Sequence, residues 1–272
     1  MGTRLSQDSR AVVTGAGSGI GAAFAVELAA RGGTVVCSDI DLDAAQRTVN
    51  TIAEHGGKAH AVRCDVSSLD DVEALADEAQ SWLSAPPTLI VNNAGIGAGG
   101  TKVGETPIEE WNQVLGINLN GVIHGCHVFV PIIREAGRGG VINVASSASF
   151  VSAPTMGPYN VSKAGVVAIS ETLAAEFSGT GLQVTVLCPT FVKTNILNTD
   201  HITRRSNELA ERMMRLTGMS PDRVARICLN AHDRGHLYVM PQLDAKALWR
   251  SKRFSPAAFT RATGLLGRIT PS

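Results

Sequence analysis

The sequence predicts an α/β fold: a doubly wound sheet of about seven parallel strands, helices on both faces, in a single domain over residues 1–272. Three observations predict it. Short β-branched runs alternate with segments of helical apolar spacing. Several of those runs are apolar at successive positions, as strands covered on both faces must be. A glycine-rich turn joins the first run to the first helix. Right-handed crossovers then bring the ligand-binding loops to the carboxyl ends of the strands.

The strands are expected at residues 10–14 (RAVVT), 34–38 (TVVCS), 58–64 (KAHAVRC), 88–92 (TLIVN), 140–145 (GVINVA) and 183–188 (QVTVLC). Between them, apolar residues at helical spacing predict helices over 19–31, 41–55, 69–84, 107–134 and 158–178. The alternation weakens beyond about residue 190. Residues 191–220, rich in Asn, Thr and Arg and carrying the Met213–Met214 pair, are expected to form a mobile helical segment beside the substrate. Ser220-Pro221-Asp222 then opens a capped helix, and LYVM supplies a last short strand.

Composition removes several classes of function. With 44% apolar residues and 28 Gly there is material for a packed core and many turns. The 24 basic residues balance 24 acidic ones, so nothing global recruits nucleic acid or anionic lipid. Cys37, Cys64, Cys126, Cys188 and Cys228 form an odd, scattered set without a C-x-x-C pair, which suits a reducing cytoplasm better than a disulfide framework or a zinc knuckle. Neither a leader nor an 18-residue apolar stretch is evident, so a soluble, cytoplasmic protein is expected.

TGAGSGIG, residues 14–21, follows the first strand and contains the start of the first helix. Gly15 permits the tight turn, Gly19 lets backbone approach a pyrophosphate and Gly21 allows close packing, while the helix N-terminus offers free N–H groups. Gly17, Ser18 and Ile20 complete the expected cofactor-facing loop of this Rossmann-type arrangement. Asp39 ends the second strand, 20 residues after Gly19, where a carboxylate accepts from ribose hydroxyls and repels a 2′-phosphate. NAD is therefore expected over NADP, with Asp41 and Asp43 left to cap the next helix.

Tyr159 and Lys163 are spaced i,i+4, on one face of the helix after the fifth strand. A phenol is a weak base at neutral pH, but an adjacent ammonium and an oxidised nicotinamide both favour its anion. Ser146, at the end of the fifth strand, can bond a substrate oxygen, with Ser147 leaving the register open by one residue. Asn118 lies in the preceding helix.

These residues together resemble the short-chain dehydrogenase/reductase family over residues 8 to about 240. Its T-G-x-x-x-G-x-G motif matches Thr14, Gly15, Gly19 and Gly21; its N-N-A-G matches Asn92, Asn93, Ala94 and Gly95; its tetrad matches Asn118, Ser146, Tyr159 and Lys163. The resemblance implies reversible oxidation of a secondary alcohol to a ketone. Tyr159 would serve as acid/base, Lys163 would lower its pKa and bind the nicotinamide ribose, Ser146 would orient the oxygen, and Asn118 would hold a relay water. It further implies that Asp65 and Val66 border the adenine, that Asn92, Ala94 and Gly95 line the cofactor, and that Pro189, Val192 and Thr194 hold the nicotinamide end. Thr190 departs from the family's usual Gly after that Pro. A homotetramer or dimer through the long fourth helix and the Tyr159 helix is also implied.

The substrate pocket is expected around Ser146, Ala148, Phe150, Met156, Tyr159 and Phe191, largely apolar and suited to a hydrophobic alcohol or ketone. The alternative function is an NAD(H)-binding sensor or scaffold without turnover, which the intact tetrad disfavours. His124 and His127 share a helix face but find no third ligand, so packing is preferred to a metal. Residues 241–272 carry six basic residues against Asp244, a net charge of +5 against −5 for the remainder. Docking of this basic extension on its own or a neighbouring subunit is expected rather than binding to a membrane.

Overall fold

The computed structural model describes residues 4–197, 199 and 201–269. Seven strands form one parallel sheet: β1 (Arg10–Thr14), β2 (Thr34–Asp39), β3 (Lys58–Arg63), β4 (Leu89–Asn92), β5 (Gly140–Val144), β6 (Gln183–Leu187) and β7 (Tyr238–Val239). Their order is β3-β2-β1-β4-β5-β6-β7. The chain runs outward from β1 to β3, then crosses back to lay β4 beside β1, so a crevice opens at the carboxyl ends of β1 and β4.

The continuous apolar runs have a direct cause. Successive side chains point to opposite faces. Ala11, Val13, Val35, Cys37, Leu89 and Val91 pack on one face against α1 (Gly19–Ala30), α2 (Leu42–Glu54) and α9 (Pro221–His232), through Phe24, Leu28, Ile52 and Leu229. Val12, Val36, Ile90 and Val141 pack on the other, against Val72 and Leu75 of α3 (Leu69–Leu83), Val122 and Phe129 of α5 (Gly121–Glu135), and Val166 and Leu173 of α7 (Gly157–Glu176). Each strand thus needs apolar residues at both parities. The Asp41 carboxylate caps α2 as expected, accepting from Ala44 N–H, and the Ser68 hydroxyl caps α3 by accepting from Asp71 N–H, each worth about 1 kcal/mol. Ser220 stands at the start of α9 as expected, but its side chain makes no cap bond.

Three local features depart from the expectation. The helix expected over 107–134 is α4 (Ile108–Leu115), a π turn over Gly116–Asn120 and α5. A short helix, α6 (Ala148–Val151), fills the loop after β5. The run Ile108–Glu135 is long and apolar enough to cross a membrane by composition, contrary to the reading that no such stretch occurs; here it packs on α3, α7 and β4. Residues 191–220 contain α8 (Arg204–Thr217), none of whose residues is buried. It bridges two anchors: Gly99 N–H donates to His201 O and Thr203 N–H to Gly99 O at one end, while Val192 pairs with Met219 at the other.

The basic extension forms α10 (Leu243–Phe254) and α11 (Pro256–Ile269). Helix α10 docks on its own subunit against α6. Ala245 is fully buried, Trp249 meets the Tyr238 ring at 5.9 Å, Arg253 lies 4.2 Å over the Trp249 ring, and Lys252 reaches Ser152.

Candidate active site

The glycine loop is fixed from below by the turn after β4. Thr14 Oγ1 accepts from Asn93 N–H at 3.0 Å and Ala94 N–H at 3.2 Å, and the Asn93 amide donates to the carbonyls of Thr14 and Gly15. Gly15 and Gly19 hold φ of +63° and +55°, and a Cβ at Gly21 would lie 2.0 Å from the Gly15 carbonyl oxygen. No larger residue fits these turns. Helix α1 begins without a side-chain cap and without an acid in its first turn, unlike α2 and α3, so its N–H groups remain available for an anion.

Asp39 faces this loop. Its carboxylate accepts from Gly17 N–H at 2.8 Å and Asp41 N–H at 3.1 Å. The Thr194 methyl lies over Gly19, 3.0 Å from where a Cβ would stand, so the loop after β6 closes onto the glycine turn. Ile20 packs on the adjacent core layer. The cradle left by Gly15, Gly17, Ser18 and Gly19, with Asp39 at its side, fits a dinucleotide's pyrophosphate and ribose.

The four tetrad residues converge at the same sheet edge. Lys163 is buried and donates to Val144 O at 3.0 Å, with its ammonium 5.8 Å from the Tyr159 ring centre. A Cβ on Gly95 would stand 3.0 Å from Asn118 Oδ1 and 3.4 Å from Lys163 Nζ, so these three residues surround one small space. Asn118 is committed: its Oδ1 accepts from Ile96 N–H at 2.8 Å and its Nδ2 donates to Ile96 O at 2.9 Å. Nδ2 also reaches Ser162. Of the two serines, Ser146 is buried, its Oγ accepting from Ala148 N–H at 3.2 Å, and it is the one whose hydroxyl acts on the Tyr159 phenol. Ser147 links the loop after β5 to the loop after β6 through its N–H and Pro189 O.

Electrostatics correct one expectation. Burial raises the Tyr159 pKa above that of an ordinary phenol, with the Ser146 hydrogen bond pulling the other way. Lys163 is pushed down to about 8, also by burial. Burial is thus the larger influence on this phenol and the Ser146 hydroxyl the opposing one.

Asn92 also departs from its expected place. Its side chain turns into the core, where Nδ2 donates to Asn143 Oδ1 at 2.8 Å and Asn143 in turn donates to Ser170. The neighbour that holds the glycine loop is Asn93, visible in the N-N-A-G motif but outside the expected site set. Val192 likewise buries its side chain in the core, so only its backbone borders the crevice.

The Val66 side chain packs where α5 carries Gly121, and His124 bonds the Val66 carbonyl at 2.9 Å. Asp65 binds Ser67 through N–H and hydroxyl. Around the opposite wall, Met156 pairs with Thr101 and touches Gly99, Ala148 is buried, and Phe150 is packed on the core layer of α7. The Phe191 carbonyl is taken up by Met219 N–H and by the Gln242 amide.

A parallel sheet of this order, a glycine turn at its switch point and a Ser, Tyr and Lys cluster beside it define the doubly wound nucleotide-binding oxidoreductase class. Residues 9–205 match the family model described as short chain dehydrogenase, and the chain belongs to that family. It is similar to the protein named "Probable oxidoreductase EphD" of Mycobacterium tuberculosis, 35% identical over 270 residues. That match covers 95% of this chain but 45% of the relative, so the chain spans about half the length of that protein. A cyclohexanol dehydrogenase of Acinetobacter sp. is 37% identical over 187 residues, 69% of this chain and 74% of the relative. Among solved structures, a short chain dehydrogenase/reductase from Burkholderia phymatum in complex with NAD superposes with a TM-score of 0.88 at 33% identity, covering 94% of this chain and 96% of that one.

Proposed function

We propose that the chain is an NAD(H)-dependent oxidoreductase that interconverts a secondary alcohol and a ketone on a hydrophobic substrate. The observation that carries this reading is the convergence of Ser146, Tyr159 and Lys163 beside the cradle of Gly15 to Gly21. The NAD complex of the Burkholderia relative and the name of the Acinetobacter relative support it.

When bound, NAD(H) supplies the hydride acceptor or donor. The chain's own residues do the rest. The first turn of α1 and the glycine loop receive the pyrophosphate, and Asp39 accepts from the adenosine ribose hydroxyls. Asp39's negative charge beside exposed Ile40, with no basic residue adjoining it in sequence, favours NAD over NADP. Asp65 and the buried Val66 border the adenine, while Ala94, Gly95 and the Pro189–Thr194 loop line the nicotinamide end. Ser146 donates to the substrate oxygen and orients it. Tyr159 takes the alcohol proton during oxidation and returns it during reduction, a step worth roughly 10²–10⁴-fold. Lys163 keeps positive charge near the phenolate and hydrogen-bonds the nicotinamide ribose. The Asn118 side chain, bonded to both backbone groups of Ile96, holds that strand-end segment beside Lys163.

Met156, Ala148 and Phe191, with Met213 and Met214 on the half-buried side of α8, supply an apolar wall. A second copy docking along α5 and α7 would cover Ile123 and Val161, which are 39% and 48% exposed. The same reading takes the protein as soluble and cytoplasmic.

Thermal-shift titration with NAD(H) and NADP(H), followed by reduced-nicotinamide absorbance across a panel of hydrophobic secondary alcohols, tests the proposal. Stabilisation by NAD(H) and turnover of at least one alcohol are expected. Binding without turnover across the panel would favour a sensor; no binding would remove the reading.

A further inference from the structure

We propose that Gln242, at the start of the C-terminal extension, is a positioning residue for the loop that lines the nicotinamide end of the crevice; the proposal rests on the dehydrogenase reading. Gln242 is a buried amide that grips two neighbouring backbone groups of that loop. Its Oε1 accepts from Thr190 N–H at 3.2 Å and its Nε2 donates to Phe191 O at 3.0 Å. A carboxamide supplies both a donor and an acceptor at this reach, so a single buried side chain ties two neighbouring, half-buried backbone groups of the loop.

The Thr190 side chain completes the latch. Its hydroxyl donates to Asp244 Oδ1 at 3.2 Å, in the first turn of α10. The family pattern has Gly here, so the departure at Thr190 creates a third tie between the loop and the extension. The base of the latch is itself fixed. Helix α10 is held by buried Ala245, by Trp249 on Tyr238 and by its contact with α6, the helix that follows Ser146. Helix α10 therefore braces the loops after both β5 and β6, and the segment from Thr190 to Thr194 that closes over Gly19 takes its position from residues more than 45 places further along the chain.

Three variants of the 272-residue chain test this: Gln242→Leu, which keeps the volume and removes both bonds, Thr190→Val, and Asp244→Ala. The first readout needs no dinucleotide. Amide hydrogen exchange at Thr190 should accelerate about tenfold or more in Gln242→Leu, while the amides of β5 and β6 keep their parent rates. The second is NADH binding by fluorescence titration, with Kd and the KM for NAD rising about tenfold in Gln242→Leu and less in the other two. The kcat pH profile stays where it is, since Tyr159 and Lys163 are untouched. Parent exchange at Thr190 together with parent Kd in Gln242→Leu would overturn the proposal, as would a fall in thermal stability with Kd and KM unmoved. Should Gln242→Leu fail to fold, parent values in both Thr190→Val and Asp244→Ala overturn it equally. A parent protein that binds neither dinucleotide would sink the dehydrogenase reading instead, leaving the exchange comparison to decide the latch.

Discussion

The two walls of the crevice are built by opposite means. The glycine side is held by backbone and short polar side chains: Thr14, Asn93 and Asp39 make six hydrogen bonds to the turns around them, and glycines stand where a Cβ would meet backbone. The α8 side is tied by backbone bonds at its two ends, and none of the helix's residues is fully buried. The first design tolerates little change, because an added carbon at Gly15 or Gly21 would meet backbone. The second is free to vary, because its shape does not decide whether the sheet folds. A ligand shared across many enzymes fits the first wall, and a substrate particular to one enzyme fits the second.

The strongest way to break this contrast is Gly21→Ala. The added carbon would lie 2.0 Å from the Gly15 carbonyl oxygen, where no flexible side chain can yield. A loss of about 3 kcal/mol in urea denaturation is expected, together with loss of NADH binding. A stable variant that binds dinucleotide would show that the glycine wall is not rigid.

Acid should loosen the rigid side next. His232 of α9 is fully buried beneath β6, its Nδ1 paired with Thr185 Oγ1 at 2.9 Å. Burial, opposed weakly by Asp233, pushes its pKa down to about 4. Since the folded value lies below the unfolded one, the unfolded chain binds the extra proton. This contribution is complete above about pH 6.5 and is lost as pH falls towards 4, by about 3 kcal/mol in total. Urea midpoints measured over that range should slope less in His232→Gln.

A smaller effect is expected at Asp39. Asp39→Ala removes the carboxylate and its bond to Gly17 N–H, and should shift the preference between NAD and NADP by about tenfold towards NADP, read as a ratio of kcat/KM. An unchanged ratio would mean that the selectivity lies elsewhere on the glycine wall. The smallest belongs to α8. Leu216, 72% exposed, should tolerate Leu216→Ala within about 0.5 kcal/mol of parent stability by urea denaturation. A larger loss would show that the strap is part of the core.

Much of this was legible because parallel strands and a glycine turn write themselves locally. All seven strands lie within a residue or two of their expected limits. What stayed hidden depends on partners distant in sequence. The π turn at Asn118 changes the backbone pattern without changing the apolar period, so the sequence shows one helix. Asn92 and Asn93 are adjacent and identical in type; only the strand's alternation sends one into the core and the other under the glycine loop. The Tyr159 pKa follows from how far the fold withdraws the phenol from water, a quantity no spacing contains. Gln242 and Thr190 lie 52 residues apart, and nothing in either neighbourhood announces the other.

The central claim is that one phenol performs the proton transfer beside an intact dinucleotide cradle. The most direct measurement compares Tyr159→Phe with the parent for NADH affinity and for alcohol-dependent formation of reduced nicotinamide. Unchanged affinity with turnover reduced roughly 10²–10⁴-fold is the predicted result. A Phe variant that turns over at the parent rate would contradict the account.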